Sequence, residues 1–567
     1  MQKRWVEQDV TNQKAVAELK DQLSIDEVLA KVLVHRNVTT FEEARGFFRP
    51  DLSHLHDPFL MTDMHKAIQR IDEAVQKREK VLVYGDYDVD GTTAVSLVYS
   101  FFRRIHPRID YYIPDRYKEG YGISFQGIDY ASEKGYNLII ALDCGIKSVD
   151  KIDYANSLGI DFIICDHHLP GSIIPDAVAV LDPKRTDCNY PYKELSGCGI
   201  GFKLIQAYSA KHGISFDEIS CYLDLVAVSI ASDIVPITGE NRVLAWYGLR
   251  RLNEAPCNGL AALIEISGKK QYTISDVIFM IGPRINAAGR IDDAKHAVRL
   301  LISDDNEVAR NQSLLIDLKN VERKEHDSSI TEQALAMIEA DPELINKKTT
   351  VVYNEGWHKG VIGIVASRLT EKYYRPTIVL TQSNGHVAGS ARSVMGFDLY
   401  EALSSCSDLL DQFGGHKYAA GLTLPTENIP LLQQRFEDIV SQTIPEELLI
   451  QEITIDALLD LENITAKFFR ILNQFAPFGP LNPNPVFLSR NLNIRGRAST
   501  VGNNHLKLSV YKGNSSTFDC IGFGLGHYLQ EINNNDAVDI CYTIEENVWK
   551  DKRSIQLSIK GIRPSIK

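Results

Sequence analysis

An α/β fold is predicted for most of this chain: two α/β domains joined by a long helix, followed by a small β-barrel. Three observations predict it. Short apolar runs at 81–84, 109–113, 138–142, 162–165 and 177–181 alternate with helical stretches, the pattern of βαβ units that build a parallel, doubly covered sheet. A second α/β pattern follows, with strand-like runs at 350–353, 376–380 and 386–390. After the Pro/Asn-rich turn 477–485 the chain changes to short alternating segments, 506–510, 537–544 and 554–559, separated by turns.

Taken in order, residues 1 to about 75 read as helical and polar-faced, with amphipathic stretches at 15–33 and 64–77. Helical character dominates 201–340, and the charged, glycine-free stretch 304–345 suits a connecting helix. The expected division is an N-terminal helical region 1–60, a first α/β domain 61–300, a connecting helix 301–345, a second α/β domain 346–450 and a barrel 451–567.

The chain has 567 residues, with 61 Lys+Arg against 74 Asp+Glu and a formal net charge of −13. Hydrophobic residues make up 44%, too many for a disordered acidic chain. The negative balance excludes a uniformly basic DNA-coating protein, so any polyanion must meet local positive patches. Nine scattered cysteines include no C-x-x-C pair, so neither a zinc ribbon nor a disulfide framework is indicated. The start MQKRWVEQDV has no apolar signal region and no 18 apolar residues run together. A cytoplasmic protein without a membrane partner is expected.

The chemistry collects at the carboxyl ends of the first strands. Run 81–84 leads into Gly85-Asp86-Tyr87-Asp88-Val89-Asp90-Gly91, run 138–142 into Asp143-Cys144-Gly145, and run 162–165 into Asp166-His167-His168. Ligands of open parallel sheets bind in the crevice outside those ends. Three strands thus deliver five carboxylates and two imidazoles to one edge, and Asp233, ending an apolar helix, can add a sixth carboxylate. A single Asp-Gly is ordinarily a turn, and a lone His-His is ordinarily filler. The conjunction reads differently, because six carboxylates in one crevice raise one another's pKa unless a cation neutralises them. Carboxylate and imidazole ligands without thiolates suit Mn²⁺ or Mg²⁺. The set exceeds one ion's needs, so two divalent metal ions are expected, ~3.5–4 Å apart, the arrangement that serves in-line displacement at phosphorus. No P-loop occurs. Gly197-Cys198-Gly199-Ile200-Gly201 lacks the βα context of a dinucleotide fingerprint and reads as a helix-start turn.

The segments GDYDVDG (85–91), LDCG (142–145), CDHH (165–168) and ASDIVP (231–236) resemble the four motifs of the DHH phosphoesterase superfamily. GPRINAAGR (282–290), GWHKGVIGIVASRL (356–369), GSARS (389–393) and FGGHKYAAG (413–421) resemble its DHHA1 half. With the barrel included, the chain is similar over about residues 50–560 to the single-stranded-DNA-specific exonucleases of that superfamily. The resemblance implies a DHH domain, a DHHA1 domain and an OB-type barrel, and processive 5′→3′ hydrolysis of single-stranded DNA to mononucleotides in recombination and repair. It implies metal ligands Asp88, Asp90, Asp143, His167 and Asp233, with Asp143 bridging two ions. Related phosphatases carry a His where this chain has Tyr84, and Asp86 is the nearest substitute ligand. His168 is expected at the scissile phosphate, and Asp166 behind a histidine.

The phosphate side is carried over in the same way: Arg116, then Arg284, Asn286 and Arg290, then Ser390 and Arg392 in a glycine-preceded turn, then Gly414, Gly415 and His416. A pocket for the 5′-terminal phosphate would set the polarity, and a narrow cleft between the α/β halves would exclude duplex. Arg284 by itself reads more readily as a surface ion pair. From 485 to 567 there are 11 Lys+Arg and 7 Asp+Glu, a local positive balance in an acidic chain. Tyr511, Phe518, Phe523, Tyr528, Tyr542 and Trp549 are candidate base-stacking surfaces, most of them expected in the core. The implied partners are single-stranded DNA with a 5′ end, a helicase and a single-strand-binding protein, with the chain acting as a monomer. Leu481 stands where the family usually has glycine. A phosphodiesterase for very short or cyclic dinucleotides, an inactive DNA-binding scaffold of this fold, and an inorganic pyrophosphatase are the rival readings.

Overall fold

The computed structural model describes residues 3–565 apart from 384, 514, 535, 536 and 551, and apart from the side chain of Trp549. The chain folds as two compact units, each discontinuous in sequence. One comprises Val10–Asn320 with Thr465–Asn484, the other Met1–Asp9 with Val321–Ile464 and Pro485–Lys567.

The chain opens on strand β1 (Arg4–Glu7), which belongs to the second unit. The first unit is built on β2 (Val81–Gly85), β3 (Ile109–Tyr112), β4 (Leu138–Leu142), β5 (Asp161–Cys165) and β6 (Ala179–Leu181). They form the expected parallel sheet, in the order β3-β2-β4-β5-β6. Alternate residues serve alternate faces. Val81, Val83, Leu138, Ile140 and Ile163 pack into one core, while Leu82, Tyr84, Ile139, Ala141 and Ile164 pack into another. Both faces are thus covered, which is why the runs are continuously apolar, each fully buried large aliphatic chain contributing about 1.5–3 kcal/mol.

The amphipathic stretch 15–33 resolves into two helices, Gln13–Leu23 and Glu27–His35. Ser24 takes a left-handed conformation (φ 51°) to end the first, and the Asp26 carboxylate accepts the Val28 N–H to cap the second. Helix Asn306–Ala340, 35 residues and about 50 Å long, starts in the first unit and ends in the second. Asp341 then caps the separate helix Pro342–Asn346, so the expected connector 304–345 is broken near its end.

In the second unit β7 (Thr350–Tyr353), β8 (Thr377–Ser383), β9 (His386–Arg392), β10 (Gln412–His416) and β11 (Ala419–Leu424) form a sheet of order β10-β11-β9-β8-β7. Only β7 and β8 run parallel; the remaining neighbours are antiparallel. There follow β12 (Glu452–Ile455), β13 (Ala457–Leu458), β14 (Phe487–Ile494), β15 (Ser499–Val501), β16 (His505–Tyr511), β17 (Phe518–Gly522), β18 (Ala537–Trp549) and β19 (Lys552–Pro564). Strands β14, β18, β19, β17 and β16 pair in that sequence and β16 pairs back to β14, closing a barrel.

One local expectation is corrected. Residues 4–7 are a strand, β1, paired in parallel with β12, where a helical start was expected. Its Trp5 packs on Gly561, where an added Cβ would lie 2.8 Å from the indole nitrogen; this long-range contact left no local signal. Leu481 has φ 57° and is 67% exposed, so the backbone there keeps the left-handed turn that glycine would adopt without strain.

Candidate metal centre

The centre lies in the first unit, at the carboxyl ends of β2, β4 and β5 together with the end of helix Leu223–Ser232. Asp88 leaves β2 as the cap of helix Val89–Phe102, its carboxylate accepting the Gly91 N–H at 3.0 Å. Asp90, in the first turn of that helix, is held on three sides. Its oxygens accept N–H bonds from Gly197 (2.7 Å) and Cys198 (2.8 Å) and a hydroxyl bond from Ser229 (2.6 Å). The glycine-rich segment 197–201 is thus the start of helix Gly197–His212, and its free N–H groups aim a carboxylate.

Asp143 follows β4 with φ 59°, a strained conformation for a residue with a Cβ. Gly197 leaves it room, since a Cβ there would stand 2.6 Å from the Asp143 Cβ. Around His167 Nε2 converge Asp143 Oδ1 at 3.1 Å, Asp233 Oδ2 at 3.5 Å and Asp90 Oδ2 at 3.7 Å. Asp143, His167 and His168, and Asp90, His167 and Asp233, form two groups whose atoms lie close enough to share a cation. Both His167 ring nitrogens, Asp143 Oδ1 and Asp86 Oδ2 are buried with no hydrogen-bond partner among the described residues. Buried lone pairs of this kind are costly unless something positive meets them.

The electrostatics agree. Burial, with the neighbouring Asp90, Asp88 and Asp233 charges, holds the Asp143 carboxyl well above the usual range. Burial and Asp88 do the same to Asp86, and burial with Asp90 raises Asp88. Asp233 is pushed up to about 8 by burial and by Asp90 and Asp88, while burial holds His167 down. An oxygen-rich, partly imidazole donor set that resists ionising alone fits divalent cations.

Asp166 and His168 are a different pair. The Asp166 carboxylate accepts the His168 Nδ1–H at 2.7 Å and the N–H groups of His167 and Ile146. Burial opposes the charge of each, yet their mutual bond holds Asp166 down at about 2 and His168 up at about 9. Without metal that bond favours the charged form of His168, whose Nε2 lies 3.2 Å from the Tyr121 hydroxyl. Tyr84, at the family's histidine position, is buried and donates to Gly122 O at 3.0 Å, so it has a structural role.

Arg116 stacks on the Tyr87 ring (4.7 Å), and its charge acts on Asp86. Arg290 acts on Tyr87 and Tyr117 nearby. Arg284 is committed elsewhere, its Nε donating to Asp317 at 2.8 Å and its guanidinium to Met280 O at 2.6 Å. That ion pair joins two helical segments. Asn286 is half-buried in the same helix, Gly282–Ile291.

In the second unit, Ser390 and Arg392 lie in β9, not in a turn as expected, and Gly414, Gly415 and His416 lie in β10. Strand β11 between them aligns Gly414, Gly421 and Ser390 in one row and His416, Ala419 and Arg392 two residues on, so Ser390, Arg392, Gly414 and His416 share a sheet face. Arg392 donates to Ser390 Oγ at 3.1 Å, and Gly363 leaves them room at the start of helix Ile362–Tyr373. Gly415 (φ 152°) admits no side chain, since a Cβ would lie 2.3 Å from Ala419 O.

The comparisons with known proteins follow the same order of parts. Residues 80–230 match the DHH family N-terminal domain, 346–442 the DHHA1 domain and 455–561 the RecJ OB domain. The single-stranded-DNA-specific exonuclease RecJ of Bacillus subtilis (strain 168) is 39% identical, over 98% of this chain and 70% of its own length. The chain belongs to the RecJ family. RecJ of Escherichia coli (strain K12) is 34% identical over 89% of this chain and 91% of its own. The crystal structure of Thermus thermophilus RecJ in complex with Mn²⁺ superposes with a TM-score of 0.85 at 27% identity, covering all of this chain and 80% of that one. The Mg²⁺ complex of the same protein gives 0.78.

Sequence reasoning missed the groups that aim the RecJ-type site: the Gly197 and Cys198 N–H groups, Ser229 and Tyr121. Glycines opening a helix were visible, but their carboxylate partner lies 107 residues away. Gly197→Ala is expected to displace Asp143 and lower kcat by about 100-fold, since ångström misplacement costs that much, with a fall in stability of about 1–3 kcal/mol from overpacking. Among the stacking candidates, Tyr542 and Phe518 are core, Phe523 is 63% exposed against His505, and the Trp549 side chain lies outside the described residues.

Proposed function

We propose that this chain is a metal-dependent exonuclease that hydrolyses single-stranded DNA from its 5′ end to 5′-mononucleotides, acting in DNA recombination and repair. The convergence of Asp90, Asp143 and Asp233 on the unpartnered His167 nitrogens carries the reading. The Mn²⁺ and Mg²⁺ complexes of the Thermus thermophilus relative support divalent ions of this kind here, and the number of carboxylates suits two. Asp88, Asp90, Asp143, His167 and Asp233 would hold them, with Asp86 a further carboxylate. When bound, the ions supply an activated water and neutralise the departing 3′-oxygen.

The chain's own residues do the rest. The imidazolium of His168, fixed by Asp166, is a charged donor for a non-bridging oxygen of the scissile phosphate. Arg116, held flat on Tyr87, and Arg290 beside it face the same strand. Ser390, Arg392 and His416, with the Gly414-Gly415 backbone, would grip a phosphate of the strand. The barrel, with its positive balance, would hold the trailing strand. A helicase and a single-strand-binding protein are fitting suppliers of that strand. No described helix is long and apolar enough to cross a membrane. A cytoplasmic location belongs to the same proposal and agrees with nine free cysteines.

The test is an assay of 5′-phosphorylated single strands, duplex and a dinucleotide, with Mn²⁺, Mg²⁺ or EDTA. Mononucleotide release from single strands alone, stopped by EDTA, is expected; hydrolysis of only the dinucleotide would overturn the reading. Metal binding is separately measurable by thermal unfolding. Asp233 holds its proton up to about 8 in the folded chain, against ~4 unfolded, so without metal its contribution to stability falls as pH rises through that window. A divalent ion needs the ionised form. The rise in unfolding temperature on adding Mn²⁺ should therefore be larger at pH 8 than at pH 6, and an equal rise would argue against carboxylate ligands.

A further inference from the structure

The turn that follows β6 is unused by the mechanism above, yet it abuts the centre. The Leu181 carbonyl at the end of β6 accepts the Asp166 N–H at 3.0 Å, so the next residues stand beside the Asp166-His167-His168 segment. Asp182 is wholly buried, and one of its oxygens accepts the Lys184 N–H at 2.7 Å, closing a tight turn. Arg185 pins that turn, donating to Val180 O at 2.6 Å, Asp63 at 2.8 Å and Asp187 at 2.6 Å. The backbone under Lys184 is therefore locked.

The Lys184 side chain is 20% exposed, with its ammonium 3.6 Å from the Glu194 carboxylate, which is itself 45% exposed. A half-exposed pair at that distance is weak and easily exchanged for another anion. The Lys184 charge also acts on Asp182, His167 and Asp233, which lie on three different elements. Glu194, its partner, stands just before Gly197, whose N–H holds Asp90, so the ammonium lies between two segments that flank the centre. Arg116 acts on Asp86 and Tyr87, so the two cations address different members of the site.

We propose that Lys184 is a substrate-contacting residue of this centre, exchanging Glu194 for a phosphate oxygen of the bound strand on the His167–Asp233 side. The proposal rests on the reading of the centre as a phosphodiesterase site. A preset ammonium there lowers the repulsion between an incoming polyanion and the carboxylates not covered by metal.

The test compares Lys184→Gln, Lys184→Arg and Glu194→Gln in the full chain. Two readouts are used: kcat and KM on a 5′-phosphorylated oligonucleotide in Mn²⁺, and affinity for the same oligonucleotide in EDTA across a salt series. Lys184→Gln is expected to lower kcat/KM by about 10- to 100-fold, the worth of one charged hydrogen bond. It should also reduce the salt slope of binding by about 0.7, as for one lost phosphate contact on a single strand. Lys184→Arg should recover most of both, and Glu194→Gln should stay within about threefold of the parent. Unchanged kinetics and slope in Lys184→Gln would overturn the proposal, leaving a surface ion pair. Equal losses in Lys184→Gln and Glu194→Gln would overturn it as well, because the pair would then be structural. An inactive parent chain would instead remove the underlying reading of the centre.

Discussion

Asp143→Asn should abolish cleavage and leave the metal-free protein at least as stable as the parent. The carboxylate stands 3.1 Å from His167 Nε2, is buried, and is raised by Asp90, Asp88 and Asp233. An amide of the same size removes the charge a divalent ion needs and also removes the mutual repulsion. A loss of kcat of about three orders of magnitude or more is expected, roughly 4 kcal/mol of transition-state stabilisation. Affinity for single strands should persist, because no cation on the phosphate side is touched. Steady-state kinetics, thermal unfolding in EDTA and a binding isotherm check the three parts. An active variant would remove Asp143 from the ligand set, and an unstable one would give it a structural role.

The second large effect is on stability. Lys203 and Glu240 are both fully buried, with the ammonium 2.6 Å from the carboxylate. Lys203 also donates to His56 O at 2.9 Å, while Glu240 accepts the His56 N–H at 2.9 Å and the Tyr190 hydroxyl at 2.6 Å. Lys203→Met leaves the Glu240 charge buried without its cation, a defect worth about 3–5 kcal/mol. An unfolding temperature lower by about 6–15 °C is expected for a unit of this size. Adding Glu240→Gln should restore a large part of that loss, since the orphaned charge is then gone. No loss in the single variant would mean that the pair contributes nothing net. Lys203 lies in helix Gly197–His212, whose first residues hold Asp90, so activity should fall with stability.

Much of this was legible in the sequence. The parallel sheet followed from five apolar runs, because strands buried on both faces cannot show alternation and read as continuous hydrophobic stretches. The centre was legible because its acidic and histidine residues sit directly after those runs, and strand ends of a parallel sheet share an edge. The strand β1 was not legible: four residues pair with a partner 448 positions away. An ion pair was the readier reading for Arg284 alone, but its partner Asp317, 33 residues on, was not legible.

By itself the sequence determined which chemical groups reach the sheet edge and in what number, since both follow from local pattern and strand direction. Only the tertiary structure decided which of them meet. It set Asp90 against the start of helix Gly197–His212, left the His167 nitrogens bare, paired Asp166 with His168, and brought the Lys184 turn beside them. The physical reason is that ligand geometry and pKa depend on distances of a few ångströms between residues far apart in the chain. Those distances are products of packing, and no local window contains them.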